Sequence, residues 1–212
     1  MTCPLCLCDQ IQLFEQDKFR SYLRCSSCSL VFVPRPEMIS VDEERNRYDS
    51  HNNSEEDPHY QSYLAGIVES IVPFLPESSV GLDFGCGRTQ LLEKLLKQRG
   101  YATDSLDIFF HPRADLLEKK FDFIILSEVI EHLRNPNEEL HKLRSLLNPA
   151  GIIFIKTKLL PVTKEAFSNW FYKRDSTHVQ FFCEETFKLM EKLFKLEGAK
   201  QIGKDLFYFR CN

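Results

Sequence analysis

The chain has 212 residues, enough for one ordinary domain with a small appendage, and its 27 Lys and Arg against 31 Asp and Glu leave a net charge of −4, which argues against a nucleic-acid partner. No apolar run approaches a membrane span, and Met1-Thr2-Cys3-Pro4 opens no secretory leader, so a soluble, cytoplasmic protein with no membrane partner is expected. Eight cysteines in such a chain read as thiols or metal ligands rather than as a disulfide framework.

Two C-x-x-C pairs come first, Cys3-Pro4-Leu5-Cys6 and Cys25-Ser26-Ser27-Cys28. Four thiolates from two knuckles satisfy a tetrahedral Zn²⁺ and leave no open position, so Cys3, Cys6, Cys25 and Cys28 are expected to hold a structural zinc. Cys8 is a spare thiol, and reduced cysteines or a redox pair are the alternatives. Leu30-Val31-Phe32-Val33 reads as the strand that closes the ribbon, and Pro34-Arg35-Pro36 as a linker. The organisation expected is a zinc ribbon over residues 1–36 and a larger domain over 37–212. From Glu37 to Pro58 the chain is polar and reads as a solvated connector. Its run Arg47-Tyr48-Asp49-Ser50-His51-Asn52-Asn53 leaves a lid over a neighbouring site as the other reading. Tyr60 to Leu75 reads as a helix with Leu64, Ile67, Val68, Ile71 and Val72 on one face, stopped by Pro73 and Pro76.

The stretch Val80-Gly81-Leu82-Asp83-Phe84-Gly85-Cys86-Gly87 is an apolar strand that ends in an acid and opens into a glycine turn. The helix from Thr89 to Gln98 follows, stopped by Gly100. Together they make a Rossmann-type first unit, in which Gly85 and Gly87 let a ligand approach the backbone. The dinucleotide pattern fails because Gln90 occupies its third glycine position, and no Gly-Lys-Ser/Thr follows to make a phosphate loop. Tyr101 to Ile108 reads as the second strand. Asp107 near its end is the acid expected at ribose hydroxyls, with Asp104 as runner-up. Phe109-Phe110-His111-Pro112 forms an apolar turn suited to cover a base. Too little chain then remains before Phe121 for a full strand and helix, so the third unit is abbreviated, with Ala114 and Asp115 as the positions that would meet the base. Phe121 to Leu126 is a continuously apolar, buried parallel strand, delivering Ser127-Glu128-Val129-Ile130-Glu131-His132 to the ligand edge of the sheet.

The acid two residues before the first glycine resembles the D-x-G-x-G signature of class I S-adenosylmethionine (SAM) methyltransferases. The run FDFIILSEVIEHLRNPNEELHKLRSLLNPAGIIFIKT resembles the fourth strand, following loop, helix and fifth strand of the ubiquinone-biosynthesis O-methyltransferase-like branch. There the motif reads E-V-I/L-E-H, then D/N-P, then L-x-P-G-G, for which Asn148-Pro149-Ala150-Gly151 is a mild departure. The resemblance covers residues 37–212. It implies an α/β fold with a Rossmann-like, mostly parallel sheet and an antiparallel C-terminal hairpin near residues 200–209. It also implies SAM as cofactor, bound by Asp83, Gly85, Cys86, Gly87, Asp107, Ile108, Ser127 and Glu128, with Asp83 toward the cationic amino group. Glu131 and His132 would face the acceptor, or else form a hydrogen-bonded pair that fixes the loop.

Past the fifth strand, residues 167–182 carry the only Trp, several aromatics, Asp175 and His178. A similar aromatic segment ending in D-x-T-H-V occurs in bacterial methyltransferases with an N-terminal zinc ribbon. His178 is the candidate base for a hydroxyl acceptor, oriented by Asp175 or Glu131, and a core histidine satisfied by Asp175 is the alternative. Glu128, Glu131, His132 and His178 also resemble the E-x-x-E-H plus distant His by which small-RNA 2′-O-methyltransferases hold a divalent metal. A small-molecule acceptor is the expectation. An RNA or protein methyltransferase using the ribbon for recognition, and a non-catalytic SAM-binding interaction protein, are the alternatives.

Overall fold

The computed structural model describes residues 1–50 and 54–211, so His51, Asn52 and Asn53 of the possible lid lie outside the described residues. Its centre is a six-stranded sheet made by strands that alternate with helices, as the sequence pattern requires. In chain order these are β4 (Val80–Phe84), β5 (Ala102–Leu106), β6 (Phe121–Ser127), β7 (Leu147–Lys156), β9 (Leu196–Gly203) and β10 (Leu206–Cys211). Their spatial order is β5-β4-β6-β7-β10-β9. The pairs β4·β5, β4·β6 and β6·β7 are parallel, whereas β10 runs antiparallel to both β7 and β9. The mostly parallel sheet and its antiparallel hairpin are as expected. The abbreviated third unit is also present, as a 3-10 turn over Ala114–Glu118 between β5 and β6.

Helices α2 (Pro58–Ile71) and α3 (Leu91–Gln98) bury Leu64, Ile67, Val68, Leu92 and Leu96 against Phe123, Ile125 and Phe154 on one sheet face. α2 starts two residues earlier than its apolar face suggests, because Asp57 accepts the His59 amide and Pro58 fits the first turn. Helices α4 (Pro136–Leu146) and α6 (Glu184–Phe194) cover the other face with Leu140, Leu143, Phe187 and Met190.

A second sheet, ordered β1-β2-β3-β8, is built by the N-terminal strands β1 (Ile11–Gln16), β2 (Ser21–Cys25) and β3 (Val31–Phe32) together with β8 (Gln180–Phe181). β3 pairs with β8 through Val31↔Phe181 and Phe32↔Gln180. Leu5, Leu30 and Phe32 share one continuous core with Leu126, Ile130 and Phe187. The ribbon is thus packed into the main core rather than tethered beside it.

Glu37 to Pro58, read as a connector, contains helix α1 (Val41–Asp49). A capping box starts it: Ser40 accepts the Glu43 amide while the Glu43 carboxylate accepts the Ser40 amide. Among the described residues no helix is long and apolar enough to cross a membrane.

Gly81 in β4 is required by packing, since a Cβ there would lie 2.0 Å from the Phe123 ring. Gly81→Ala is expected to lower stability by roughly 1–3 kcal/mol, read as a denaturant midpoint, because the buried ring has no room to retreat.

Candidate active site

The parallel strands end together at one edge of the sheet, where the βα turns open a cavity of about 960 Å³, the upper range for a small-molecule site. Asp83, Gly85, Cys86, Gly87, Asp107, Ile108, Ser127 and Glu128 all line it, as do His132, Asp175 and His178. Ala114 does not, and Asp115 is spent on an exposed ion pair with Arg113. Asp104 points its carboxylate to Lys119 instead.

The cofactor half is set by the glycine turn. Gly85 has φ +77°, and a Cβ there would lie 2.5 Å from a Val129 methyl, so the position requires glycine twice over. Asp107 ties the turn to the end of β5: its carboxylate accepts the amides of Gly87 at 3.0 Å, Phe109 at 2.9 Å and Phe110 at 3.1 Å. Phe109 and Phe110, the apolar turn expected over the base, line the cavity. Asp83 is 3 % exposed. Burial, with the charges of Glu93 and Asp107, pushes its carboxyl up to about 8. An acid so placed favours a cationic ligand, because a positive charge would offset its desolvation. Burial likewise pushes the Cys86 thiol upward, which leaves it a neutral wall rather than a nucleophile.

The other half of the cavity is backed by Glu131, which is fully buried and does not itself line the cavity. The Tyr172 hydroxyl bridges it to Glu128, lying 2.9 Å from Glu128 Oε2 and in very short contact with Glu131 Oε1. Glu131 Oε2 has no hydrogen-bond partner. Burial, and then the Glu128 charge, push the Glu131 carboxyl up to about 8. Glu128 adopts φ +54°, a left-handed conformation that a non-glycine residue holds only under strain. Its amide donates to Lys156 O at 2.8 Å, and its Oε1 accepts from the Tyr63 hydroxyl at 3.3 Å.

His132 and His178 face each other with ring centroids 4.6 Å apart. The Nδ1 of His132 donates to Thr177 O at 3.1 Å, and that of His178 to Tyr172 O at 2.7 Å. A carbonyl can only accept, so each ring carries its proton on Nδ1 and, when neutral, a lone pair on Nε2. Burial lowers the His178 pKa below the ordinary 6.5, against the pull of Asp175. The group that orients His178 is therefore the Tyr172 carbonyl. Asp175 shapes the turn instead, its Oδ1 accepting the Thr177 amide at 3.0 Å and hydroxyl at 2.7 Å. Glu131, His132 and His178 bring their ligand atoms within 4.8 Å of one another.

Several lining residues were given no individual role by the sequence. Tyr48, part of the run whose other reading was a lid, lies on α1 and packs its ring on Phe109 and His132. Glu44 on the same helix pairs with Arg134 at 2.7 Å, which fastens α1 across the cavity. The S-x-x-E box at Ser40 was the available signal for this helix. Tyr60 and Tyr63, three apart on α2, also line the cavity, outside the apolar stripe that identified the helix.

Away from the cavity, the sulfurs of Cys3 and Cys28 lie 3.5 Å apart, as do those of Cys6 and Cys25, and all four lie within 4.8 Å of one another. Zinc–sulfur bonds of about 2.3 Å in a tetrahedron require sulfurs about 3.8 Å apart, so this quartet fits that ion. Cys8 stands outside it, its sulfur facing the Gln10 amide at 3.4 Å.

The sequence profile of a methyltransferase domain matches residues 57–197. No curated protein matches the chain. Among solved structures, a SAM-dependent methyltransferase from Archaeoglobus fulgidus is 23% identical with TM-score 0.52, covering 66% of this chain and 71% of its own. The 1,6-didemethyltoxoflavin-N1-methyltransferase of Burkholderia thailandensis, solved with S-adenosylhomocysteine (SAH), is 13% identical with TM-score 0.56, covering 95% of this chain and 99% of its own. Asp107→Ala is expected to weaken SAM and SAH binding by roughly 10- to 100-fold in calorimetric titration, the worth of charged hydrogen bonds that shape the turn.

Proposed function

This chain belongs to the class I SAM-dependent methyltransferases through the domain that spans residues 57–197, and on that premise we propose that it methylates a small-molecule acceptor at a hydroxyl oxygen, with His178 as base. The observation that carries the reading is the Nδ1–H bond from His178 to the Tyr172 carbonyl at 2.7 Å. It turns a neutral Nε2 lone pair into an acceptor for the hydroxyl proton in the cavity that also holds the glycine turn.

Bound SAM would supply an electrophilic sulfonium methyl for in-line attack by the acceptor oxygen, the C–S bond breaking as the O–C bond forms and S-adenosylhomocysteine leaving. Asp83, in the cavity lining, would hold the ammonium end of the cofactor. Three of the roughly four lone-pair positions of Asp107 go to backbone amides, which leaves one for a ribose hydroxyl. Ser127 and Glu128 would line the cofactor side, and the phenylalanine turn would cover the base. Tyr48 and α1 close the cavity against water, which would compete for the methyl group. Glu131, held by Tyr172, and His132 fix the wall opposite. We keep the ubiquinone O-methyltransferase-like branch, on the E-V-I-E-H and Asn-Pro run, as the branch this chain resembles. In the reducing cytoplasm the quartet of residues 1–36 would hold a structural zinc.

The low His178 pKa sets the sign of the pH dependence: the base is protonated and inactive in acid and neutral above its pKa. Across a panel of hydroxylated acceptors, kcat/KM should therefore rise through an acidic limb centred below 6.5. His178→Ala should abolish the limb and reduce kcat roughly 10²- to 10⁴-fold. An unchanged profile in His178→Ala would remove His178 from the chemistry.

A metal-assisted variant has specific support in the partnerless Glu131 Oε2 and the two histidines anchored at Nδ1, the arrangement that second-shell carbonyls give metal ligands. In that reading Glu131, His132 and His178 hold a divalent cation that binds the acceptor hydroxyl. Metal analysis separates the two. The reading above expects one zinc per chain, lost in Cys25→Ser, whereas the variant expects a second Mn²⁺ or Co²⁺ equivalent, lost in Glu131→Gln.

A further inference from the structure

The N-terminal ribbon does more than decorate the core, because its one buried arginine is spent on the loop that carries His178. Arg20 is 8 % exposed. Its Nη2 donates to Lys173 O at 2.6 Å and to Asp175 O at 3.0 Å, and its Nη1 to Ser176 O at 3.1 Å. The remaining Nε donates to the Tyr22 hydroxyl at 3.0 Å, which in turn donates to Asp17. A guanidinium fork that collects three carbonyls of one turn fixes its backbone, because each carbonyl would otherwise need another donor.

The same loop is gripped from both sides. On the ribbon side, Lys173 is nearly buried and pairs with Glu15 and Asp17, while Val33 N donates to Val179 O at 2.9 Å. On the core side, Val179 N donates to Glu131 O at 2.9 Å, and Gln180 donates to Leu133 O at 3.1 Å. His178 thus stands in a strip held between the ribbon and the Glu131-His132 turn. By contrast, the bonds that shape the glycine turn come from Leu106 and Asp107 within the core.

We propose that Arg20 is a positioning residue of the acceptor site: the ribbon supplies the fork that holds the Lys173–Ser176 turn, and through it His178, while the cofactor half is built without it. The inference rests on the reading of His178 as the acceptor-side base. The ribbon is then one wall of the active site, and its integrity governs acceptor geometry rather than cofactor affinity.

Arg20→Lys is the discriminating change, since it keeps the positive charge and most of the stem but loses the planar fork. Replacement by a neutral residue would shift His178 merely by removing a charge. The imidazole is followed by nuclear magnetic resonance at one fixed pH, in the field of Asp175, Glu128, Arg20, His132 and Tyr172, the groups packed around it. The expected result in Arg20→Lys is a displaced His178 ring resonance as the Lys173–Ser176 turn loosens. Exchange of the Val179 amide should accelerate about tenfold or more, with SAH affinity within about twofold of the unchanged protein. Identical His178 ring resonances and Val179 exchange in the two proteins would overturn the proposal. So would loss of SAH binding in Arg20→Lys alone, since Arg20 would then support the whole fold. Failure of the unchanged protein to bind SAH would sink the cofactor reading instead, and the Val179 comparison would still decide the role of Arg20.

Discussion

The constraint on which the rest depends is the gathering of carboxylates at one edge of the parallel sheet. Parallel strands end side by side, and here each of three brings an acid to the same cavity, Asp83 on β4, Asp107 after β5 and Glu128 after β6, with Glu131 fully buried behind the lining. In water such a group would be harmless, but Asp83 and Glu131 are almost fully buried, where like charges cannot all ionise without compensation. The chain meets the demand in three ways. Backbone amides take Asp107, the Tyr172 hydroxyl bridges Glu128 and a Glu131 carboxyl that burial pushes up to about 8, and burial likewise pushes Asp83 up to about 8, so that it is mostly protonated at neutral pH. A cofactor that carries both a sulfonium and an ammonium group supplies the positive charge that the last of these lacks. The apolar strands that make the sheet stable are therefore also what makes the site selective for a positively charged ligand.

The acceptor half obeys a different logic. Its residues come from stretches far apart in the chain: Tyr48 on α1, the Glu131-His132 turn, and the Tyr172–His178 strip. No strand end brings these together, so hydrogen bonds between side chains and backbone must. Arg134 with Glu44, Arg20 with three carbonyls, and Val179 with both Val33 and Glu131 are those bonds. Around them the aromatic cluster of Tyr22, Phe167 and Phe181, at centroid distances of 5.0–5.8 Å, fills the space between ribbon and core.

This difference explains what could be read from residues alone. The strand, acid, glycine turn and helix from Val80 to Gln98 are local, and local order is what periodicity and turn chemistry report, so this strand-turn-helix unit was legible in the sequence. The shortened third unit followed from chain length between Ile108 and Phe121. Helix α1 carries few apolar residues, and its only signal was the capping box at Ser40. The pairing of β3 with β8 joins residues about 150 apart, which no window of sequence displays. His178 could be named as a base from its chemistry, but Asp175 and Glu131 were natural choices to orient it. The carbonyl of Tyr172 does so because its backbone is bent into a 3-10 turn over Phe171–Arg174, and a main-chain acceptor leaves no mark in a side-chain pattern.

The position of the cysteine quartet has an energetic consequence for the acceptor site. The first knuckle touches the start of α4, where the Asn137 amide donates to Pro4 O at 3.2 Å and its side chain to Leu5 O at 2.6 Å. The second knuckle leads through Leu30 into β3, which pairs with the strip that carries His178. An ion bound by the folded quartet alone stabilises every contact that the folded ribbon makes, by an amount that grows with the logarithm of its concentration over its dissociation constant. Here those contacts end on both sides of the acceptor wall. With zinc bound at the quartet, part of the order in that wall would be borrowed from metal coordination more than one strand away. A ribbon with no open coordination position and no contact with the reacting atoms would in this way still act on catalysis, through the geometry of the loop it holds.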